Sequence, residues 1–338
     1  MGNVNHSHFT EDELIGAVRK VLSGDAPGVV VSVGDDAAVV EPGAHQLVLT
    51  SDMLVEGVHF DLGSVSAHDL GHKSITASVS DIAAMGGSPR YGLVSVALPR
   101  DAETPWIMEL YGGIREAADE YGMAIVGGDT SRGERHVVSV AAVGTVARGK
   151  AVTRSAARPG DHVVVTGTLG AASGGLRLAK EPPHEVRGAL GSEWGRELVQ
   201  AYLRPVARVG EGETLAQSGA TAMIDISDGL ALDLSRVCRE SEVGASLRLA
   251  DVPVSPGLED LGRLLGVDPL DQALHGGEDY ELLACLPQNA VEAAQDRLRD
   301  RFGTPLTAIG VITGDGVVAV GANGAETPLE PKGWDHFA

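Results

Sequence analysis

The stretch HKSITASVSDIAAMGGSPRYGLVSVAL, residues 72–98, constrains this chain more than any other. Ala77, Asp81 and Ala84 recur at helical spacing. A helix over Asp69 to Ala84 therefore gathers small residues and one acid on a single face of an amphipathic element. Gly86, Gly87 and Pro89 stop it, and Leu93, Val94, Val96 and Leu98 restart the chain as an apolar strand. A helical Asp is ordinarily a solvated surface charge. With flanks this small and apolar, Asp81 is expected to look inward, where a carboxylate needs a metal or another partner.

Five further stretches set acids beside Gly or Ser where apolar runs end. They are Gly34-Asp35-Asp36, Thr50-Ser51-Asp52, Gly127-Gly128-Asp129, Asp225-Ile226-Ser227-Asp228-Gly229 and Gly276-Gly277-Glu278-Asp279. Any one of these is explained by Asp and Gly simply making a turn. Together with Asp81 they read as carboxylates aimed from sheet ends into one cleft, with Gly letting a ligand approach the backbone. Oxygen donors without thiolates suit hard ions such as Mg²⁺ or Mn²⁺.

The 338 residues suffice for two domains, and 43% hydrophobic content with Gly 45 fits a well-cored chain rich in turns. A net charge of −21 and 4% aromatics argue against nonspecific nucleic-acid binding and against base stacking. The acids still permit a nucleotide carried by a divalent ion. Cys238 and Cys285 lack CxxC spacing and read as buried thiols of a reducing compartment. No apolar run approaches membrane-spanning length, and MGNVNHSHFTEDEL holds no signal-peptide core, so a cytoplasmic protein is expected.

In chain order, Thr10 to Val21 reads as a capped helix, followed by strands at Val29–Val33, Val39–Val40 and Gln46–Thr50. A loop leads to His59-Phe60 and the Asp81 helix, then a helix over Thr104 to Tyr121 opens with Pro105. Strands follow at Met123–Val126 and His136–Ala147. Composition changes near residue 150, which sets the expected domains at 1–150 and 151–338. The second half alternates strands and helices, giving an α/β or α+β class. GTVARGKA (144–151) nearly matches a phosphate-binding loop, but Ala151 replaces the metal-binding hydroxyl and Pro159 follows where a helix should begin. Gly167-Thr168-Leu169-Gly170 is either a packing turn or a phosphate site at a helix N-terminus.

The motifs GDDAAVV (34–40), TSDMLVEGVHF (50–60), KSITASVSDIAAMGGSPR (73–90), GGDTSRG (127–133), TRSAARPGD (153–161), IDISDGL (224–230), GGEDYEL (276–282) and KGWDHF (332–337) together resemble the thiamine-monophosphate kinase family. That family shares a fold with aminoimidazole ribonucleotide synthetase. The resemblance implies two α/β domains, with an N-terminal mixed sheet that pairs in a homodimer and an active site near the domain cleft. It implies transfer of the ATP γ-phosphate to thiamine monophosphate, giving thiamine diphosphate and ADP. Position by position, Asp36, Asp52, Asp81, Asp129, Asp225 and Asp228 would hold several Mg²⁺ ions, with Thr50 and Ser51 adding oxygen ligands. Tyr111, Gly128, Asp129, Arg154 and Ser227 would contact ATP, and His59, Glu278 and Trp334 the thiamine phosphate. Family members often carry Thr at the position of Ser51; the oxygen donor is retained.

The substrate phosphate is already ionised near neutral pH, so no general base is assigned. Relief of repulsion between two polyanions is what the reaction needs, and Mg²⁺ with Arg154 would supply it. Tyr111 is equally readable as core packing, Trp334 as a docking anchor, and Lys73 as a helix-face charge or a phosphate contact. Sibling enzymes of the same fold, and a non-catalytic metal- or nucleotide-binding regulator, are the alternatives. A reactive N-terminal Cys and a C-terminal Cys, which two siblings would call for, are both absent.

Overall fold

The run VVSVAAVGTVA alternates buried and less buried positions from Val137 to Val146, the signature of a strand with one covered face. It lies in the middle of the first of two sheets. The computed structural model describes residues 29–31, 35–41, 45–180 and 183–336; the helix expected over Thr10 to Val21 lies outside them. The first sheet comprises β1 (Val29–Val31), β2 (Ala38–Val40), β3 (His45–Val55), β4 (Ser88–Leu98), β5 (Ala124–Arg132) and β6 (Val137–Ala147), in the order β1-β2-β3-β6-β4-β5. All its pairings are antiparallel except β4 with β5.

Two helices, α1 (Ala67–Ala84) and α2 (Thr104–Glu120), cover one face of this sheet. Ile75, Val79 and Ile82 of α1 and Leu110 and Ile114 of α2 share a core with Val48, Leu54, Val138 and Val140. The two helices touch backbone to backbone. A Cβ on Gly71 would fall 2.1 Å from the Leu110 carbonyl oxygen, and one on Gly113 would fall 1.8 Å from that of His68. The other face of the sheet leaves Met53, Tyr91, Leu93 and Val126 about half exposed.

The second sheet reads β13-β12-β9-β11-β7-β10-β8. Its strands are β7 (His162–Thr166), β8 (Ala222–Ile226), β9 (Gly244–Arg248), β10 (Glu281–Leu286), β11 (Leu306–Thr313), β12 (Val317–Val320) and β13 (Glu326–Pro328). Only β9 with β12 is parallel. Around it lie α3 (Ala171–Lys180), α4 (Pro183–Gly191), α5 (Glu193–Leu203), α6 (Val209–Gln217), α7 (Leu230–Ser241), α8 (Gly257–Leu265), α9 (Pro269–His275) and α10 (Val291–Phe302). Here β8 and β10 are buried at every residue. Alternate residues join different cores: Ile224, Leu283 and Cys285 meet α7, whereas Met223, Leu282 and Ala284 meet α6 and α10. Burial on both faces explains why these strands are unbroken apolar runs.

Two expectations are corrected. Helix α1 begins at Ala67, capped by the Ser66 hydroxyl, and it is buried on nearly every side, with Ser74, Thr76, Ser78 and Ser80 all at 0–1% exposure. It is not amphipathic, because the first sheet, α2, α6 and β8 surround it. The Ser74 and Thr76 hydroxyls are satisfied by the carbonyls of Gly71 and His72. Asp52 and Asp129 do not stand at strand ends. The ladders to β6 and β4 continue past them, so both are interior strand positions. Tyr202 and Ala207, from the second half of the chain, belong to the core of the first sheet. Among the described residues no helix is long and apolar enough to cross a membrane.

Candidate functional site

Three carboxylates from three separate elements converge. Asp81 comes from the last turn of α1, Asp225 from β8 and Asp36 from the bend between β1 and β2. One oxygen of each lies within 4.8 Å of the others. Neighbouring hydroxyls aim them: Thr50 donates to Asp81, and Ser80 donates to Asp225 at 2.6 Å. Asp36 takes a charged hydrogen bond from Arg154 Nε at 2.6 Å, and the Arg154 backbone N–H donates to Asp35 at 3.0 Å. The remaining oxygen of Asp36, Oδ1, is buried with no hydrogen-bond partner.

Burial, and then the charges of Asp52, Asp225 and Asp36, push the Asp81 carboxyl well above the usual carboxylate range. Burial and Asp36 do the same to Asp225. Asp52, which accepts from Ser78 at 2.8 Å, is also raised, by burial and then by Asp228. Uncompensated acids this close cannot all ionise without a cation. Asp228 is held by Arg236 at 2.5 Å. Arg236 also holds Asp233 at 2.8 Å, whose carboxylate accepts the Asp228 and Gly229 backbone N–H groups and closes the N-terminus of α7.

Beside these acids lies a cavity of about 780 Å³ lined by both halves of the chain. Ser51, Asp52, Asp81, Asp225, Ser227 and Asp228 line it together with His59, Tyr202, Glu278, Tyr280, Trp334 and His336. Glu278 rides on a tight turn, with φ at +67° and its N–H donating to the Ser227 carbonyl at 2.7 Å. Gly277 must be glycine there, since a Cβ would meet that same carbonyl oxygen at 2.4 Å. His59 Nδ1 accepts the Val55 N–H at 3.0 Å, which places the proton of the neutral ring on Nε2. Burial, and then the nearby His336, lowers its pKa. His336 stacks on His59 with ring centres 4.8 Å apart and accepts from the Trp334 indole at 3.2 Å.

Of the expected site residues, Asp36, Thr50 and Arg154 adjoin the acid cluster without lining the cavity, and three others lie away from both. Tyr111 lies on α2, lining a separate groove with Arg115, Asp119 and Met123. Gly128 and Asp129 are exposed on edge strand β5, where Asp129 is in register with Ser95. Val94 and Val96 point into the core, so the Ser95 and Asp129 positions share the opposite, outward face.

Other residues of the site carried no sequence signal that was used. Lys73 is not a helix-face charge but is 1% exposed and paired with Glu278. It precedes Ala77 and Asp81 by four and eight positions, so helical spacing already put it on their face. Ser78 and Ser80 could have been found as hydroxyls flanking a buried acid. Tyr202 had no local pattern, and His336 lies within the KGWDHF motif, two residues after Trp334.

The AIR synthase related protein N-terminal domain matches residues 34–146, and the C-terminal domain of the same family matches residues 158–323. The thiamine-monophosphate kinase of Aquifex aeolicus (strain VF5) is 36% identical over 325 residues, 96% of this chain and 97% of that protein. The enzyme of that name from Escherichia coli (strain K12) is 35% identical, over 92% of this chain and 93% of that one. Among solved structures, AaThiL complexed with AMPPCP and TMP superposes with a TM-score of 0.83 at 35% identity, covering 97% of each chain. Motifs, fold and these likenesses agree: the chain belongs to the thiamine-monophosphate kinase family, on the two-domain AIR synthase related fold.

Proposed function

We propose that this chain transfers the γ-phosphate of ATP to thiamine monophosphate, yielding thiamine diphosphate and ADP. The observation that carries the reading is the acid cluster of Asp36, Asp81 and Asp225 beside a cavity that also presents Glu278, Trp334 and His59. Relatives at 31–36% identity over nearly full length bear that enzyme name, and the AaThiL complex holds an ATP analogue with TMP. The acid set suits Mg²⁺: oxygen donors only, an orphaned Asp36 Oδ1, and carboxyls pushed up for want of a counter-charge. Asp36, Asp81 and Asp225 would hold the ion, with Asp52, Asp228, Thr50 and Ser51 close enough to hold others. Bound Mg²⁺ supplies charge neutralisation between the two sets of phosphates.

The chain's own residues do the rest. Arg154, fixed by Asp36, brings a guanidinium to the phosphate end, and the Ser227 turn offers donors beside it. Glu278, His59 and Trp334 orient the organic end of the acceptor, with the indole facing a cationic ring. The acceptor oxygen is already anionic, so transfer proceeds directly and in line, without a phosphoenzyme or a general base. A homodimer would cover Met53, Tyr91, Leu93 and Val126. The same contact would set the Asp129 face, with Gly128 beside it, against a second copy, where Asp129 would serve a metal and Gly128 the nucleotide. A reaction that consumes ATP, and two cysteines kept as buried thiols, support the reading of a cytoplasmic protein.

The test is incubation of the purified protein with ATP, Mg²⁺ and thiamine monophosphate, following thiamine diphosphate as its fluorescent thiochrome derivative. Formation of the diphosphate is expected. Folded protein that binds ATP with Mg²⁺ yet yields none would send the activity to a sibling reaction of this fold.

A further inference from the structure

Lys73 is among the most deeply buried large side chains of the described residues, at 1% exposure. Taking an ammonium out of water is costly unless a partner meets it. Its partner is the Glu278 Oε1 oxygen, 2.7 Å from Nζ. The Tyr202 ring also lies beneath the ammonium, 4.0 Å from Nζ to centroid. Glu278 and Tyr202 both line the cavity, and Lys73 itself does not. The cation therefore stands behind the cavity wall and touches two of the side chains that form it.

The partner is not an ordinary buried acid. Its side chain is 25% exposed, it sits at φ +67°, and its N–H is tied to the Ser227 carbonyl. Lys73 meets one carboxylate oxygen as an ion pair, its Nζ making no hydrogen bond, and leaves Oε2 with no hydrogen bond to the described protein. A carboxylate gripped from behind at one oxygen presents the other in a single orientation, which a flexible Glu on a turn would not do alone.

The spacing along α1 adds the second element. Lys73, Ala77 and Asp81 are four residues apart on one helix face, and Ala77 and Asp81 both line the cavity. At about 1.5 Å rise per residue, that face sets Lys73 roughly 12 Å from Asp81. One rigid helix thus spaces the acceptor's organic end from the acid cluster.

We propose that Lys73 is a positioning residue for the phosphate acceptor. It fixes Glu278 so that Oε2 meets the heterocyclic end of the acceptor, which carries an amino donor on one ring and a positive charge on the other, and it plays no part in holding the nucleotide. The proposal rests on the reading of Glu278 as an acceptor contact.

Steady-state kinetics of Lys73→Met, Glu278→Gln and the double variant test it, with both substrates varied and thermal unfolding followed. Lys73→Met is expected to raise KM for thiamine monophosphate by about tenfold or more and to leave KM for ATP within about twofold. The double variant should be no worse than Glu278→Gln alone, because Lys73 acts only through that carboxylate. Equal effects on both substrates, or effects of the two substitutions that multiply, would reduce Lys73 to a structural cation and overturn the proposal. Glu278→Gln with an unchanged acceptor KM would overturn the reading of Glu278, and the proposal with it. Where Lys73→Met does not fold, Lys73→Gln, which keeps an N–H for Oε1, serves in the same comparison.

Discussion

Asp81→Asn should stabilise the metal-free protein while removing its response to Mg²⁺. The carboxylate oxygens of Asp36, Asp81 and Asp225 approach within 4.8 Å. At an effective dielectric constant of about 20, each ionised pair at that separation repels by about 3 kcal/mol. Asparagine removes Asp81 from two such pairs and keeps an oxygen to accept from Thr50. The full sum is not recovered, because the wild-type acids relieve themselves by holding protons, as the upward shifts of Asp81 and Asp225 record. A net gain of about 1–3 kcal/mol is expected at pH 8, roughly 2–6 °C in Tm. The sign follows from linkage. A carboxyl whose folded pKa is raised keeps a proton that the unfolded chain has lost, so the folded state binds more protons and loses stability as pH rises above about 4. The gain from Asp81→Asn should therefore shrink toward pH 5. Thermal unfolding in EDTA and in excess Mg²⁺, at both pH values, reads all of this. Wild type should gain from Mg²⁺, more at pH 8 than at pH 5 because metal and protons compete, whereas the variant should gain little. A variant less stable than wild type in EDTA at pH 8, or equally stabilised by Mg²⁺, would refute the reasoning.

Two further outcomes follow from other parts of the molecule. Asp279, raised to about 7 by burial, accepts the Gly170 and Ala172 N–H groups at the start of α3. Asp279→Ala should cost about 1–3 kcal/mol in urea unfolding, while Asp279→Asn should flatten the decline of metal-free stability between about pH 4 and pH 7. If the proposed homodimer forms through this face, Leu93→Glu, on the outward face of the first sheet, should halve the mass seen by light scattering at micromolar concentration while lowering stability by no more than about 1 kcal/mol; an unchanged mass would remove that face from the proposed homodimer.

Much of the site was legible because acids beside Gly and Ser are local patterns. Asp36, Asp52, Asp81, Asp225, Asp228 and Glu278 do line or adjoin one cavity. Asp81 as an inward acid could be read from small neighbours at helical spacing. Strand lengths were harder. Ser51-Asp52 and Gly127-Gly128-Asp129 resemble turns, yet tertiary pairing carries β3 and β5 straight through them. The burial of α1 on every side escaped because small residues and hydroxyls, unlike Leu or Ile, look polar in a pattern while fitting a crowded interior. Lys73 reads locally as a helix-face charge or a phosphate contact because its partner lies some two hundred residues later, at Glu278. Asp129 shows the limit of family motifs: it occupies the expected motif, but its place within one chain is on the far face of the sheet.

The account stands most directly on where the γ-phosphate goes. In a single turnover with γ-³²P-labelled ATP, Mg²⁺ and thiamine monophosphate, the quenched reaction is separated into protein, nucleotide and thiamine fractions. Direct transfer predicts label passing from ATP into thiamine diphosphate, with none on the denatured protein at any time. Label appearing on the protein and leaving it as fast as product forms, or collecting only as inorganic phosphate, would contradict it.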